Sequence, residues 1–487
     1  MSDHAEQSSF DVVVIGAGAV GENVADRAVQ GGLTAVLVEA ELVGGECSYW
    51  ACMPSKALLR PGTALHAAQS VPGAAAAVTK TLDAAAVLRS RDAFASHWQD
   101  DSQVEWVKSA NIDFIRGHGW ITGEREVHVS GTDGVEHQIT ANHAVVIATG
   151  SHPNIPDLEG IEDVPYWTTR EATSSSEIPR RLIVLGGGVA GSELAQAYAR
   201  LGSSVSLVAR SGLLTSFAKP AADLVTAGLR ADGVDVHLGT AAKKITENDD
   251  GTITVELDGT SLTADKVLVA MGRHPALEGV GLEHVAGLAA PQNDMWRLGT
   301  DTSGAVVLEE SAASSTPWLY AVGDASGGPM LTHQGKYQAR ISGDAIVARA
   351  KGDFPTENKA WSKLAHTAND LAVPSVVFTD PELASVGLSE ENAKKQGFTV
   401  STVELPIAVA GSALHAENYK GWAQLVIDED RKVILGARFA GPDVAELLHA
   451  ATIAVVGEVP LDRLWHAVPA YPTVSEVWLR LLEKYGL

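Results

Sequence analysis

Two strand, glycine-turn, helix, strand units stand in tandem, followed by a long carboxyl-terminal stretch without one. They predict an α/β chain with two Rossmann-like dinucleotide-binding domains and a C-terminal α+β domain. Length agrees, since 487 residues at roughly 100–200 per domain give about three domains. Composition agrees too: 45% apolar against 20% charged residues describes a globular chain and excludes disorder and collagen-like repeats.

The first unit opens with Asp11 to Ile15, a β-branched run bounded by glycine that reads as a buried parallel strand. Gly16-Ala17-Gly18-Ala19-Val20-Gly21 follows at once, then a helix from Glu22 to Gln30 closed by Gly31-Gly32, then the strand Thr34 to Val38 with Glu39 at its end. Gly16, Gly18 and Gly21 thus form a G-x-G-x-x-G turn with an acid 18 residues beyond the last glycine. The first two glycines let backbone N–H groups approach a pyrophosphate, the helix amino terminus adds partial positive charge, and Glu39 can accept from a ribose hydroxyl.

The second unit repeats the pattern. The strand Arg181 to Leu185 leads into Gly186-Gly187-Gly188-Val189-Ala190-Gly191, and a helix runs through Leu201 to Gly202. Gly186, Gly188 and Gly191 make the second nucleotide turn. Here the following strand, Val205 to Val208, ends in Ala209-Arg210 instead of an acid. A cation where the ribose acceptor would stand favours a 2′-phosphate, hence NADPH, with NADH as the alternative.

The 137 residues from Lys351 to Leu487 carry no such turn; strands such as Val373 to Phe378 and Trp422 to Ile427 and a helix from Val444 to Val456 suffice for a separate core. The Ala-rich region from Pro61 to Ser90 has helical spacing, with breaks expected at Pro61 and at Pro72-Gly73. Lys plus Arg number 36 and Asp plus Glu 60, a net charge of −24, which argues against nucleic acid as a partner. No stretch is long and apolar enough for a membrane span, and Met1 to Phe10 lacks the basic start and apolar run of a secretory leader, so a cytoplasmic address is expected.

Only two cysteines occur, Cys47 and Cys52. A close pair in a reducing compartment points to redox chemistry or a metal more than to a staple, with two buried thiols as the plain alternative. Residues five apart in an ideal helix have Cα atoms roughly 8.7 Å apart, too far for a disulfide. The segment must therefore enter its helix irregularly for the pair to close. Two thiolates lack the further ligands zinc needs, and the 16 histidines show no zinc-binding spacing, so no metal site is expected.

Gly44-Gly45-Glu46-Cys47-Ser48-Tyr49-Trp50-Ala51-Cys52-Met53-Pro54-Ser55-Lys56 resembles the redox-active segment of the class I pyridine nucleotide-disulfide oxidoreductases, the flavoprotein family of dihydrolipoamide dehydrogenase, glutathione reductase and mercuric reductase. The resemblance runs the length of the chain. It takes in Ala148-Thr149-Gly150 after the strand Ala144 to Ile147, Met271-Gly272-Arg273, Leu319 to Asp324, Pro329-Met330-Leu331-Thr332-His333, Val377 to Glu382 and Ser385-Val386-Gly387. It implies FAD at the first glycine turn with Glu39, Gly45, Thr149, Gly150 and Asp324, and backbone of Leu331, Thr332 and His333 beside the flavin. It implies NAD(P)H at the second turn, with Ala209, Arg210 and Gly272. Cys52 would be the thiol nearer the flavin, Cys47 the interchange thiol facing the acceptor, and Lys56 a cation beside flavin N5 paired with Glu193. It further implies an FAD-binding domain in two parts, 1–152 and 277–350, an NAD(P)H-binding domain 153–276, and a dimerisation domain 351–487 of a homodimer in which the partner completes each active site.

One motif departs from the family. Where its disulfide reductases carry His-Pro-Thr-x-x-Glu, this chain reads Tyr471-Pro472-Thr473-Val474-Ser475-Glu476. A phenol with a pKa of about 10 in place of an imidazole near 6.5 is a poor base at neutral pH, and His466 could serve only through a shifted register. Two readings follow: an NADPH-dependent reductase of a disulfide or similar small-molecule acceptor through Cys47 and Cys52, or an NADPH:quinone-type reductase in which reduced flavin acts directly. A mercuric-ion reductase, which in this family carries an additional cysteine pair, and a redox sensor rank behind them.

Overall fold

A computed structural model of the protein describes residues 6–293, 295–309 and 316–487; the amino-terminal residues read above as lacking a leader lie partly outside that range. The chain divides into two compact units. The first gathers the chain up to Met53 with Ala95–His152 and Arg273–Asn369; the second gathers Pro54–Phe94, Pro153–Gly272 and Asp370–Leu487.

In the first unit, β1 (Glu6–Ile15), β2 (Ala35–Glu39), β3 (Asp113–Gly123), β4 (Glu126–Gly131), β5 (Glu136–Ile147) and the strand Leu319–Ala321 form one sheet. Its parallel part is centred on β1, where Val12–Ile15 pairs with Ala35–Val38 on one side and Ala144–Ile147 on the other. Asp113–Arg116 extends it beyond β2, and Leu319–Ala321 extends it beyond β5. Val12 to Ile15 are buried, as a β-branched run covered on both faces must be. Helix α1 (Ala19–Gln30) buries Val24, Ala25 and Ala28 on its sheet side. The helix Thr332–Lys351 packs against α1 through Gly335 and Gly343, where an added Cβ would come within 2.7 Å of Val20 Cγ2 and 2.6 Å of Arg27 Cβ.

The second unit repeats the parallel arrangement in the order Lys266–Val269, Arg181–Leu185, Ser204–Ala209, Asp235–Leu238. It adds an antiparallel sheet in the order Ser375–Val377, Glu382–Gly387, Val433–Gly441, Trp422–Asp428, Val400–Pro406. The expected helix at Val444–Val456 is a short 3-10 turn, Val444–Leu447, running into the α-helix Leu448–Val456.

One expectation is corrected. Helix α3 (Cys52–Gln69), introduced after α2 (Gly45–Tyr49), runs straight through Pro61. A proline inside a helix costs about 3 kcal/mol, but buried residues flank this one on both sides, Leu58 and Leu59 before it and Gly62 after it. Gly62 lies so close to the Arg200 side chain that an added Cβ would fall 2.6 Å from its Cδ. Tertiary packing therefore carries the helix past the missing N–H. The break at Pro72-Gly73 does occur: α3 ends at Gln69, and the next helical turn starts at Ala74 after Gly73.

Candidate functional site

The two glycine turns share one geometry. Gly16 and Gly186 adopt φ of +102° and +124°, and a Cβ at either would lie 2.4 Å or 2.2 Å from the carbonyl oxygen of Ala148 or Ala270 on the neighbouring strand segment. Gly18 and Gly188 differ from them. Each caps its helix without a side-chain hydrogen bond, and an added Cβ would meet nothing within 4 Å at Gly188 and only Gly45 Cα, at 3.9 Å, at Gly18. The space a side chain would fill is open in front of unsatisfied helix N–H groups, a cradle that fits a pyrophosphate. Glu39 accepts from the Ala17 N–H at 2.7 Å and the Glu41 N–H at 2.8 Å, and burial pushes its pKa up. In the second unit Ala209 is buried and Arg210 is exposed at the end of its strand.

The cysteine segment has the expected irregular entry. Cys47 lies on the five-residue α2, the chain leaves helical geometry at Trp50 with φ −135°, and Cys52 starts α3. Gly44 and Gly45 give α2 its left-handed approach, with φ of +109° and +59°, and the Gly44 N–H bonds the Ala17 carbonyl at 2.8 Å. The segment is thereby tied to the first glycine turn.

Both cysteines are free thiols. The hydrogen bond between Cys47 and Cys52, with burial, pushes the Cys47 thiol up, while Thr332 and the charge of Lys336 pull the other way. Cys52 Sγ lies 3.3 Å from Thr332 Oγ1 at the start of the Thr332–Lys351 helix. Thr332, at the amino-terminal turn of that helix, thus touches the sulfur pair and, with Lys336, opposes the net rise at Cys47 without overcoming it. Glu22, on α1, is raised to about 7 by burial, against the opposing charge of Lys336.

Around this centre the first unit brings together several of the other named residues. Asp324 accepts from Ser151 Oγ at 2.5 Å, and Ser151 Oγ accepts from Arg273 Nε at 2.8 Å. Thr149 Oγ1 donates to the Ala276 carbonyl at 2.5 Å, and Gly150 has φ +77°. Leu331 precedes the Thr332 helix in extended geometry, and His333 is exposed. In the second unit Gly272 has φ +101°. Ser151 and Arg273 were missed as chemistry-bearing residues, although the Met-Gly-Arg signature that contains Arg273 was in plain view.

Lys56, which follows Cys52 on α3, belongs to the second unit. Its Nζ lies 2.6 Å from Glu193 Oε2, and the Glu193 side chain is 3% exposed. The other Glu193 oxygen accepts from the Phe378 N–H at 2.9 Å, and Lys56 Nζ lies 5.0 Å from the centroid of the Phe378 ring. Lys56 and Glu193 thus form an ion pair, the two residues that the resemblance implied as partners; the part taken by Phe378 was not anticipated.

Tyr471 is 77% exposed, and His466 is exposed as well. Glu476 is buried and accepts from Arg480 Nη2 at 2.6 Å, within its own helix Glu476–Tyr485. Within the chain, then, Glu476 is engaged by arginine. Among the described residues no group of three His, Cys, Asp or Glu side chains is disposed to hold a metal.

Comparison with known proteins agrees with this geometry. Residues 10–339 match the family model described as pyridine nucleotide-disulphide oxidoreductase, and residues 373–481 match that of its dimerisation domain. A dihydrolipoyl dehydrogenase of Thermus scotoductus is 33% identical over 96% of this chain and 95% of its own length. A mercuric reductase of Shigella flexneri is 31% identical over 96% of this chain and 79% of its own length. Among solved structures, the Cu(II) complex of the HOCl-induced flavoprotein disulfide reductase RclA from Escherichia coli is similar in fold. Its TM-score is 0.79 at 24% identity, over 98% of this chain and 99% of that one.

Proposed function

The chain belongs to the pyridine nucleotide-disulphide oxidoreductases and is an FAD-dependent enzyme drawing on a pyridine nucleotide; from that premise we propose that it passes reducing equivalents from NADPH to a small disulfide or similar acceptor through Cys47 and Cys52. The observation that carries this reading is the bonded thiol pair facing Thr332, with Cys52 Sγ 3.3 Å from the Thr332 hydroxyl.

Bound FAD supplies the two-electron carrier between nicotinamide and sulfur. Gly16, Gly18, Gly21, Glu39, Gly45, Thr149, Gly150, Asp324, Leu331, Thr332 and His333 would hold it. Gly186, Gly188, Gly191, Ala209, Arg210 and Gly272 would hold the nicotinamide nucleotide, with exposed Arg210 free to meet a 2′-phosphate.

The sulfur chemistry then follows ordinary exchange. Cys47 as thiolate attacks one sulfur of the acceptor, and a mixed disulfide forms as the other sulfur leaves and takes a proton. Cys52 attacks Cys47, the second acceptor thiol leaves, and the Cys47–Cys52 disulfide remains to be reduced again at the expense of NADPH. Lys56, held by Glu193, stabilises negative charge on the Cys52 side.

The exposed phenol of Tyr471 favours a second reading. With no imidazole at that position, Tyr471 is a poor proton acceptor for Cys47, and a quinone taking electrons directly from reduced flavin needs no such base. Cys47→Ser compared with wild type separates the two, since under the second reading the wild type has no appreciable disulfide reduction to lose. Under the first reading the variant oxidises NADPH with a quinone at near wild-type rate and loses disulfide reduction by roughly three orders of magnitude or more. Equal loss of both activities would instead make the sulfur pair obligatory for every acceptor. NADH run alongside reads the nucleotide preference.

We further assign a cytoplasmic homodimer with the FAD-binding domain at 1–152 and 277–350, the NAD(P)H-binding domain at 153–276 and the dimerisation domain at 351–487. No helix among the described residues is long and apolar enough to cross a membrane.

A further inference from the structure

The helix Val189–Arg200 presents Glu193, Gln196 and Arg200 at spacings of three and four, hence on one face. All three reach a single short segment, Phe378 to Asp380. Glu193 Oε1 accepts from the Phe378 N–H at 2.9 Å. Gln196 Oε1 accepts from the Asp380 N–H at 2.7 Å, and its Nε2 donates to the Asp380 carbonyl at 2.8 Å. Arg200 Nη2 reaches Asp380 Oδ2 at 2.8 Å while its Nε holds Asp232 at 2.9 Å.

These groups are dry: Glu193 is 2% exposed and Gln196 is fully buried. Gly228 closes the other side, since a Cβ there would lie 2.6 Å from the Asp380 carbonyl oxygen. Helix α3 docks on the same assembly at two points, Lys56 on Glu193 at 2.6 Å and His66 on Asp380 at 2.6 Å. Ten residues separate these points, about 15 Å along the helix axis. Such density of buried polar groups, paired apart from Arg200 Nη1, far exceeds what one lysine–glutamate pair requires, and it fixes geometry more than it adds stability.

We propose that Gln196, Arg200 and Asp380 are positioning residues for Lys56: by clamping Phe378–Asp380 to the helix face they hold the Glu193 carboxylate and the Phe378 ring that together set where the ammonium stands. This rests on the reading above that Lys56 serves the thiol nearer the flavin. None of the three touches the reacting atoms. They act through the place they give to Lys56, and a loss of clamping is expected to free the lysine before it unfolds the chain.

The test uses purified holoenzyme reduced by two electrons, and follows with pH the long-wavelength absorbance that a Cys52 thiolate gives beside flavin. Lys56→Met removes a cation near the thiol and is expected to raise the apparent pKa of that signal by about 1–3 units. Gln196→Leu keeps Lys56 but releases the segment, and is expected to raise it by about half a unit. Asp380→Asn keeps the backbone bonds to Gln196 and weakens the Arg200 and His66 contacts; it gives a smaller shift in the same direction and serves if Gln196→Leu does not fold. Tyr198→Phe, on the same helix but bonded to the Ala172 carbonyl at 2.6 Å, controls for general loosening and should lower Tm without moving the signal.

A shifted signal in Lys56→Met with wild-type values in both Gln196→Leu and Asp380→Asn overturns the positioning role and leaves the role of Lys56 standing. A Tyr198→Phe shift as large as that of Gln196→Leu overturns it too. No shift in Lys56→Met removes both readings together.

Discussion

Glu382 accepts a hydrogen bond from the Ala445 N–H at 2.9 Å, yet burial, reinforced by Asp443, Asp380 and Glu446, pushes its pKa up to about 7. A carboxyl whose folded pKa lies above its unfolded value binds a proton more tightly in the native state. Its cost to stability is therefore absent below about pH 4.5, grows as pH rises from there to the folded value near 7, and is complete above it. Glu382→Gln keeps the acceptor for Ala445 and removes the charge. Melting curves should coincide for variant and wild type at pH 4.5, while at pH 8 the variant should be more stable by about 1–2 kcal/mol. Equal Tm values at pH 8 would mean that Glu382 ionises at no cost. His66 and Asp380 work in the opposite sense. The bond from Asp380 raises His66; for Asp380, burial alone would raise the pKa, but the bonds from His66 and Arg200 outweigh it and leave it lowered. Their mutual stabilisation is present above the ordinary range of Asp, is lost as pH falls through the depressed Asp380 value, and is lost again as pH rises through the elevated His66 value.

At the scale of the element, the glycine turn is the unit that does most, and its parts separate by what surrounds them. A side chain at Gly16 or Gly186 collides with protein; one at Gly188 collides with nothing within 4 Å, and its φ of −81° accommodates any L residue. Gly188→Ala should thus leave Tm and flavin content at wild-type values while weakening pyridine-nucleotide binding by at least about tenfold, because the methyl would occupy the space through which a pyrophosphate oxygen approaches the helix N–H groups. Titration of the oxidised enzyme with NADP⁺, alongside a melting curve, reads both; unchanged affinity would move the nucleotide away from this turn. These turns were legible in the sequence because their signal is local: a β-branched run, three glycines at fixed spacing, then a helix. Helix α3 was legible only in part, since Pro61 breaks a local rule that contacts with Arg200, 139 positions away in the chain, override. Phe378 was quoted only as part of a signature, for the same kind of reason. Its ring and its N–H gain meaning from Lys56 and Glu193, 322 and 185 residues distant, and no periodicity near Phe378 encodes either partner. Cys47 and Cys52 fell between these cases. Their spacing demanded an irregular helix entry, which the break at Trp50 supplies, but the hydroxyl of Thr332 beside them lies outside any local pattern.

At the scale of the whole molecule, a chain with a net charge of −24 repels its own copies at long range, so any stable association must be bought by apolar contact. The carboxyl-terminal region has the surface for it. Ile453 is 57% exposed, Val456 40%, Trp465 39%, Val468 85% and Tyr471 77%, and all five fall within the residues matched to the dimerisation domain. Large apolar side chains left this open in one stretch are the signature of an interface, and a stable pair needs about 800 Å² from each partner. Under the homodimer proposed above, Tyr471 of one copy would serve Cys47 of the other. Val468→Asp combined with Ile453→Asp would bury two charges in that contact and should convert the proposed dimer to a monomer at micromolar concentration, read by light scattering on a sizing column. The monomer should stay yellow, because every residue assigned to FAD comes from its own chain. It should keep quinone reduction and lose disulfide reduction. A double variant that remains dimeric would place the contact on another face, and a monomer that still reduces disulfides at the wild-type rate would show that the Tyr471 segment contributes nothing to the chemistry at Cys47.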